Sequence, residues 1–157
     1  MVYVFDIDGT ISLNEKRQHL LPKDNLHLTE SWRNYNSACV NDEPKTQIIN
    51  MMNSLYMKGE RVVLLTSRSD ECKNETVSWL KRNNVMYSEI SMRNREDNRK
   101  DFDIKLEWLE KNTDGVDECI VFEDNPNVIR HLRSNGYCVM QVRSYENLPK
   151  DCESHGE

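Results

Sequence analysis

The run Val2-Tyr3-Val4-Phe5-Asp6-Ile7-Asp8-Gly9-Thr10 opens the chain and decides how the rest is read. Its apolar residues have the pattern of a β-strand covered on both faces, yet two carboxylates close it. Strand residues two apart project to one face, so Asp6 and Asp8 can meet the same ligand. Gly9 allows the backbone to turn sharply and come close to that ligand. Asp-Gly is common turn chemistry, which accounts for Asp8 and Gly9 but leaves Asp6 unexplained. An acid inside an apolar strand is costly to bury without a partner, so a partner is expected.

Working outward, further apolar runs lie at Arg61 to Leu65, Met86 to Met92, Cys119 to Phe122 and Cys138 to Val142. The run around Ser88 to Ser91 alternates, as an edge strand would. Helical patterns separate the runs. Pro44 to Lys58 carries Ile48, Met51, Met52 and Leu55 on one stripe, followed by Gly59. Asp70 to Asn84 has a weaker stripe. Phe102, Leu106 and Leu109 mark a third helix at the i, i+4, i+7 spacing, and Pro126 to Asn135 a fourth. Strands alternating with helices predict an α/β fold with a mostly parallel central sheet. In such sheets ligands bind beyond the carboxyl ends of the strands.

Residues 14–43 break this rhythm as a polar insert after the first strand, with Trp32 and Tyr35 in a short helix. Insertions at that place are often lids or substrate contacts, and equally often solvated excursions. The tail after Lys150 is polar and expected to fray. The 157 residues are the size of one ordinary domain, and their net charge of -6 offers no basic stripe for gripping a long nucleic acid. A strand end or a nucleotide needs only a few local cations. Cysteines at 39, 72, 119, 138 and 152 have no short paired spacing, which argues against disulfides and zinc. Cys119 and Cys138 are expected to be small buried residues. A reducing cytoplasm fits, that of the host for a phage-encoded chain. Asp6 cuts the opening apolar run too early for a signal peptide, and no run is long enough for a membrane span.

The chemistry gathers at the strand ends. The second strand closes on Thr66-Ser67-Arg68, hydroxyls and a guanidinium that suit either a phosphate or the cap of the next helix. The fourth closes on Glu123-Asp124-Asn125-Pro126. Magnesium takes one or two carboxylates and accepts phosphate oxygens, and Asp6 with Asp124 supplies such a pair. Lys105, early in the third helix, meets an electrostatic need. A carboxylate approaching a phosphate dianion faces like charges, each pair worth about 4 kcal/mol at 4 Å in an effective dielectric near 20.

These residues resemble the haloacid dehalogenase superfamily of phosphatases, with Asp6 to Thr10 as first motif, Thr66 as second, Lys105 as third and Glu123-Asp124 as fourth. Within it the chain is similar to the 3′-phosphatase part of phage polynucleotide kinase-phosphatases, through the register Arg93, Asp97, Arg99-Lys100-Asp101, Lys105. Glu96, Ser67 and Asn125 depart from that pattern. The resemblance implies a three-layer Rossmann-like fold over 1–157 with a small cap-like insert at 14–43. It implies magnesium held by Asp6, Asp124 and the Asp8 carbonyl, with Asp6 the nucleophile of an aspartyl-phosphate mechanism. Asp8 is then the acid and base, its proton retained through Asp6 and burial. Thr66 and Lys105 hold the phosphoryl oxygens, with Gly9, Thr10, Ser67, Arg68 and Arg93 around the substrate. A nucleic-acid 3′-phosphate is the expected substrate, and a mononucleotide or other small ester the alternative. A non-enzymatic phospho-acceptor module fits less well, because its acceptor aspartate would close the strand that ends here in Thr66.

Overall fold

A computed structural model describes residues 1–143, so the polar tail and Cys152 lie outside the described residues. In chain order the elements are β1 (Val2–Phe5), β2 (Ser12–Leu13), α1 (Arg33–Ser37), β3 (Glu43–Pro44), α2 (Thr46–Met57), β4 (Arg61–Ser69), α3 (Lys73–Arg82), β5 (Glu89–Arg93), α4 (Asp101–Asn112), β6 (Cys119–Glu123), α5 (Pro126–Ser134) and β7 (Cys138–Gln141). Five strands form one parallel sheet in the order β5-β4-β1-β6-β7. The three most continuously apolar runs occupy its centre, and the alternating run is an edge.

Alternation along the strands divides the core in two. Val2, Val4, Val63, Leu65, Cys119 and Val121 face one way and pack with Leu109 of α4 and with Val128, Ile129 and Leu132 of α5. Phe5, Val62, Leu64 and Phe122 face the other way, against Ile49 and Met52 of α2 and Trp79 and Leu80 of α3. The result is helix, sheet, helix. Phe5 and Phe122 stack across neighbouring strands with ring centroids 4.3 Å apart.

The helix predicted from Pro44 starts two residues later, because Pro44 pairs with Ser12 in a two-stranded antiparallel ribbon. Proline has no amide hydrogen to contribute and suits so short an edge. This ribbon of β2 and β3 closes the base of the insert. Within the insert Trp32 and Tyr35 are buried edge-to-face, 5.8 Å between centroids, and the Trp32 indole donates to the Leu26 carbonyl at 3.0 Å. Cys39, Cys72 and Cys119 are buried free thiols, but Cys138 is exposed. It opens an edge strand of which only Val139 is buried. No helix among the described residues is long and apolar enough to cross a membrane.

Leu109 is fully buried where α4 meets the sheet. Leu109→Ala should cost about 2–5 kcal/mol in urea unfolding. An unchanged midpoint would contradict this packing.

Candidate active site

Register alone brings the first and fourth strand ends together. Phe5 pairs with Leu64 on one side and Phe122 on the other, so Asp6 emerges level with Glu123. The Asp6 amide then donates to the Phe122 carbonyl at 3.0 Å, which carries the pairing past the end of β1. Carboxylate oxygens of Asp6, Glu123 and Asp124 all lie within 4.8 Å of one another, and all three residues are buried.

Lys105 reaches this cluster from α4. Its Nζ donates to Asp6 Oδ1 at 2.7 Å and to Glu123 Oε2 at 2.5 Å. The other oxygen of Glu123 accepts the amides of Asp124 and Asn125, each at 3.0 Å, which fixes the turn after β6. Asn125 caps α5 through the Asn127 amide. The inward stripe of α4 differs from the one predicted: Asp101, Lys105 and Leu109 are buried, whereas Phe102 and Leu106 are only partly so. Two charged residues take central positions because each finds an opposite charge there. Burial and the adjacent Glu123 push the Asp6 carboxyl up to about 8 against the pull of Lys105. Three acids against one lysine leave an excess of negative charge.

Asp8 lies beside this cluster in a different environment. The turn after it is tight, with Gly9 at φ 79° and its amide donating to the Ser12 carbonyl at 2.8 Å. A positive φ is what glycine supplies at no steric cost. The Asp8 carboxylate accepts Arg68 Nε at 2.8 Å and Nη2 at 2.7 Å, and also Arg17 Nη2. Burial resists its ionisation, but the guanidinium groups of Arg17 and Arg68 outweigh that and hold it well below the usual carboxylate range. The expectation that Asp8 keeps a proton through burial and Asp6 is therefore reversed in this resting site.

Two arginines expected around the substrate are occupied inside the protein. Arg68 is 1% exposed; besides Asp8 it reaches Thr76 Oγ1 and Ser12 Oγ. Nor does it cap the next helix, since Ser69 accepts the Glu71 amide there. Arg93 is also 1% exposed, donating to the carbonyls of Ser67, Asp97 and Arg99 and to the Asp101 carboxylate. It braces the segment between β5 and α4. Burial pushes its partner Asp101 up to about 6 despite the Arg93 charge. Thr66 is nearly buried one residue beyond the level of Asp6, its hydroxyl accepting the Arg68 amide at 3.2 Å. Ser67 lies beside Asp101. Thr10 is fully buried, and its hydroxyl has no hydrogen-bond partner among the described residues.

The structure brings Asp6, Lys105, Glu123 and Asp124 together, with Asp8 and Thr66 at the same sheet edge. It adds Arg17 and Asp42, which no sequence signal marked, to a buried charge network that also holds Asp101. Glu123 was legible as motif, not as the anchor of Lys105. Arginine 17 sits in a polar insert where no periodicity marks it. Arg93→Lys would keep the charge but lose the fork that reaches four acceptors. It should lower stability by about 1.5–3 kcal/mol and expose the segment around residues 94–100 to limited proteolysis. A wild-type digestion pattern would remove the bracing role.

The family model described as the polynucleotide kinase PNKP phosphatase domain matches residues 1–146. No curated protein matches the chain. Among solved structures, one of a Pnkp1/Rnl/Hen1 complex superposes with a TM-score of 0.72 at 23% identity, over 90% of this chain and 45% of that one. A Pnkp1/Rnl/Hen1 RNA repair complex gives 0.70 at 23% identity, over 90% and 42%. A HAD hydrolase, family IA, variant 3, from Entamoeba histolytica gives 0.69 at 15% identity, over 98% and 91%. At such identities the likeness speaks for the fold. The chain thus spans under half the length of the first two chains it matches. With the parallel sheet, the acids closing β1 and β6, and the matched span of residues 1–146, the chain belongs to the HAD-type phosphatase family of the PNKP phosphatase domain.

Proposed function

We propose that this chain is a magnesium-dependent phosphomonoesterase that works through an aspartyl-phosphate on Asp6 and removes 3′-phosphate from nucleic-acid ends. The observation that carries the reading is the Lys105 ammonium held between Asp6 and Glu123 beside Asp124, a charge arrangement that suits a dianion and a divalent cation. The donor set fits magnesium, which takes hard oxygen ligands and one or two carboxylates. Both Glu123 oxygens already serve Lys105 and the turn after β6, so metal ligation is assigned to Asp6, Asp124 and the Asp8 carbonyl. The ion supplies positive charge that orients the phosphate and lowers its repulsion from Asp6.

Asp6, which a bound divalent cation would hold ionised against burial and Glu123, attacks phosphorus and becomes phosphorylated as the ester oxygen leaves. Lys105 and Thr66 hold phosphoryl oxygens, Lys105 exchanging part of its contact with Asp6 for the new charge. Asp8 hands a proton to the leaving oxygen and takes one from the water that hydrolyses the intermediate. Because Arg17 and Arg68 keep the resting Asp8 ionised, the first proton arrives with a substrate monoanion. Otherwise it is taken up as the phosphate shares the field of the two arginines. Over one cycle the alcohol and inorganic phosphate leave, and both aspartates are restored.

Family membership supports the 3′-end as substrate. A second reading, mononucleotides or other small esters, is favoured by the net charge of -6 and by exposed arginines that are already paired. Arg95 lies against Asp70, and Arg99 against Asp97 and Glu107. Release of phosphate from a 3′-phosphorylated oligonucleotide and from nucleoside monophosphates decides between them. Equal, slow release from both would sink the 3′-end reading.

Asp6→Asn is expected to abolish magnesium-dependent release of phosphate from an aryl phosphate, and normal turnover would eliminate Asp6 as nucleophile. Magnesium should also raise the melting temperature of the wild-type chain over that in EDTA, and Asp124→Asn should lose most of that rise. An equal rise in the variant would place the ion elsewhere.

A further inference from the structure

We infer that Asp42 is a positioning residue for the reaction: it holds the Arg17 guanidinium against Asp8, so that the insert delivers a working part of the active site. The inference rests on the reading of Asp8 as the residue that moves protons at phosphorus.

Asp42 lies at the far end of the insert from Arg17. Its carboxylate accepts Arg17 Nε at 3.0 and 3.1 Å and Arg17 Nη2 at 2.8 Å. Ser12 Oγ donates to it at 2.5 Å, and Arg68 Nη2 lies 3.6 Å away. Its own backbone is fixed, because the fully buried Trp79 indole donates to the Asp42 carbonyl at 2.8 Å. Arg17 is further held by the Tyr35 carbonyl, 2.9 Å from Nη1, and lies over the Tyr35 ring at 4.2 Å. Only Nη2 is left to reach Asp8, and it touches Asp8 and Asp42 at once.

Charge explains why a second carboxylate is needed. Arg17 and Arg68 converge on Asp8, and two guanidinium groups sharing one carboxylate repel each other in a setting that screens poorly. Asp42 completes a ring of two arginines and two aspartates with no net charge. Its side chain is only 2% exposed, so it acts through Arg17 and does not meet substrate. Without it Arg17 would be drawn to water or swing wholly onto Asp8, and the proton-handling oxygen would move. A shift of about 1 Å in such a group can cost about 100-fold in rate.

A double-mutant cycle tests this with an aryl phosphate and magnesium, measuring kcat and KM for wild type, Arg17→Ala, Asp42→Asn and the pair. Each single change is expected to lower kcat by about 10- to 100-fold with little change in KM. The double variant should be no slower than Arg17→Ala, since Asp42 has nothing left to position. Losses that multiply, or a normal kcat for Asp42→Asn, would overturn the assignment. Where the Asn variant does not fold, Asp42→Glu keeps the charge, displaces it by one methylene, and carries the same cycle. A wild type that releases no phosphate at all would instead sink the phosphatase reading, so the two failures are separable.

Discussion

The Lys105 ammonium sits between Asp6 and Glu123, out of water, where its side chain reaches from α4 to the carboxyl ends of β1 and β6. Each partner would be costly to bury alone. Removing one member of such a buried pair typically costs about 3–5 kcal/mol, because the other is left uncompensated. The same contact that closes the helix onto the sheet therefore keeps the carboxylate proposed as nucleophile oriented, with an ammonium in reach. Stability and chemistry share these atoms, and the excess of acids over lysine leaves the site suited to a further cation.

Asp8, two residues further on, is balanced in the opposite sense. Two arginines hold it ionised, while Asp6 is pushed toward its protonated form. Two carboxylates at one strand end thus acquire opposite electrostatic characters from different partners. The roles proposed for them, Asp6 as nucleophile and Asp8 as proton carrier, require a bound cation and the substrate phosphate to reverse that resting balance. The separation depends on the insert and the sheet together, since Arg17 and Asp42 belong to the insert and Arg68 to β4.

Between β5 and α4 a third buried arginine works on backbone rather than on ligand. Arg93 gathers the carbonyls of Ser67, Asp97 and Arg99 with the Asp101 carboxylate, and so ties the end of β4 to the first turn of the helix that carries Lys105. Its fork geometry allows one side chain to satisfy several carbonyls of an irregular segment, groups that would otherwise be left without partners once buried.

Much of this was legible in the chain itself. Continuous apolar runs determined the central strands, alternation determined the edge strand, and an acid breaking the first run announced the site, because burial makes an unpartnered carboxylate too costly to be incidental. Those signals are local and periodic, so a sequence records them. The tertiary structure alone decided what each buried charge faces: Lys105 turned inward on a helix whose apolar stripe pointed slightly elsewhere, and Arg68 and Arg93 were committed to the interior. It also brought Arg17 from a polar insert to Asp8. Pairings between residues tens of positions apart leave no periodic mark, since Coulomb attraction depends on distance in space and not along the chain.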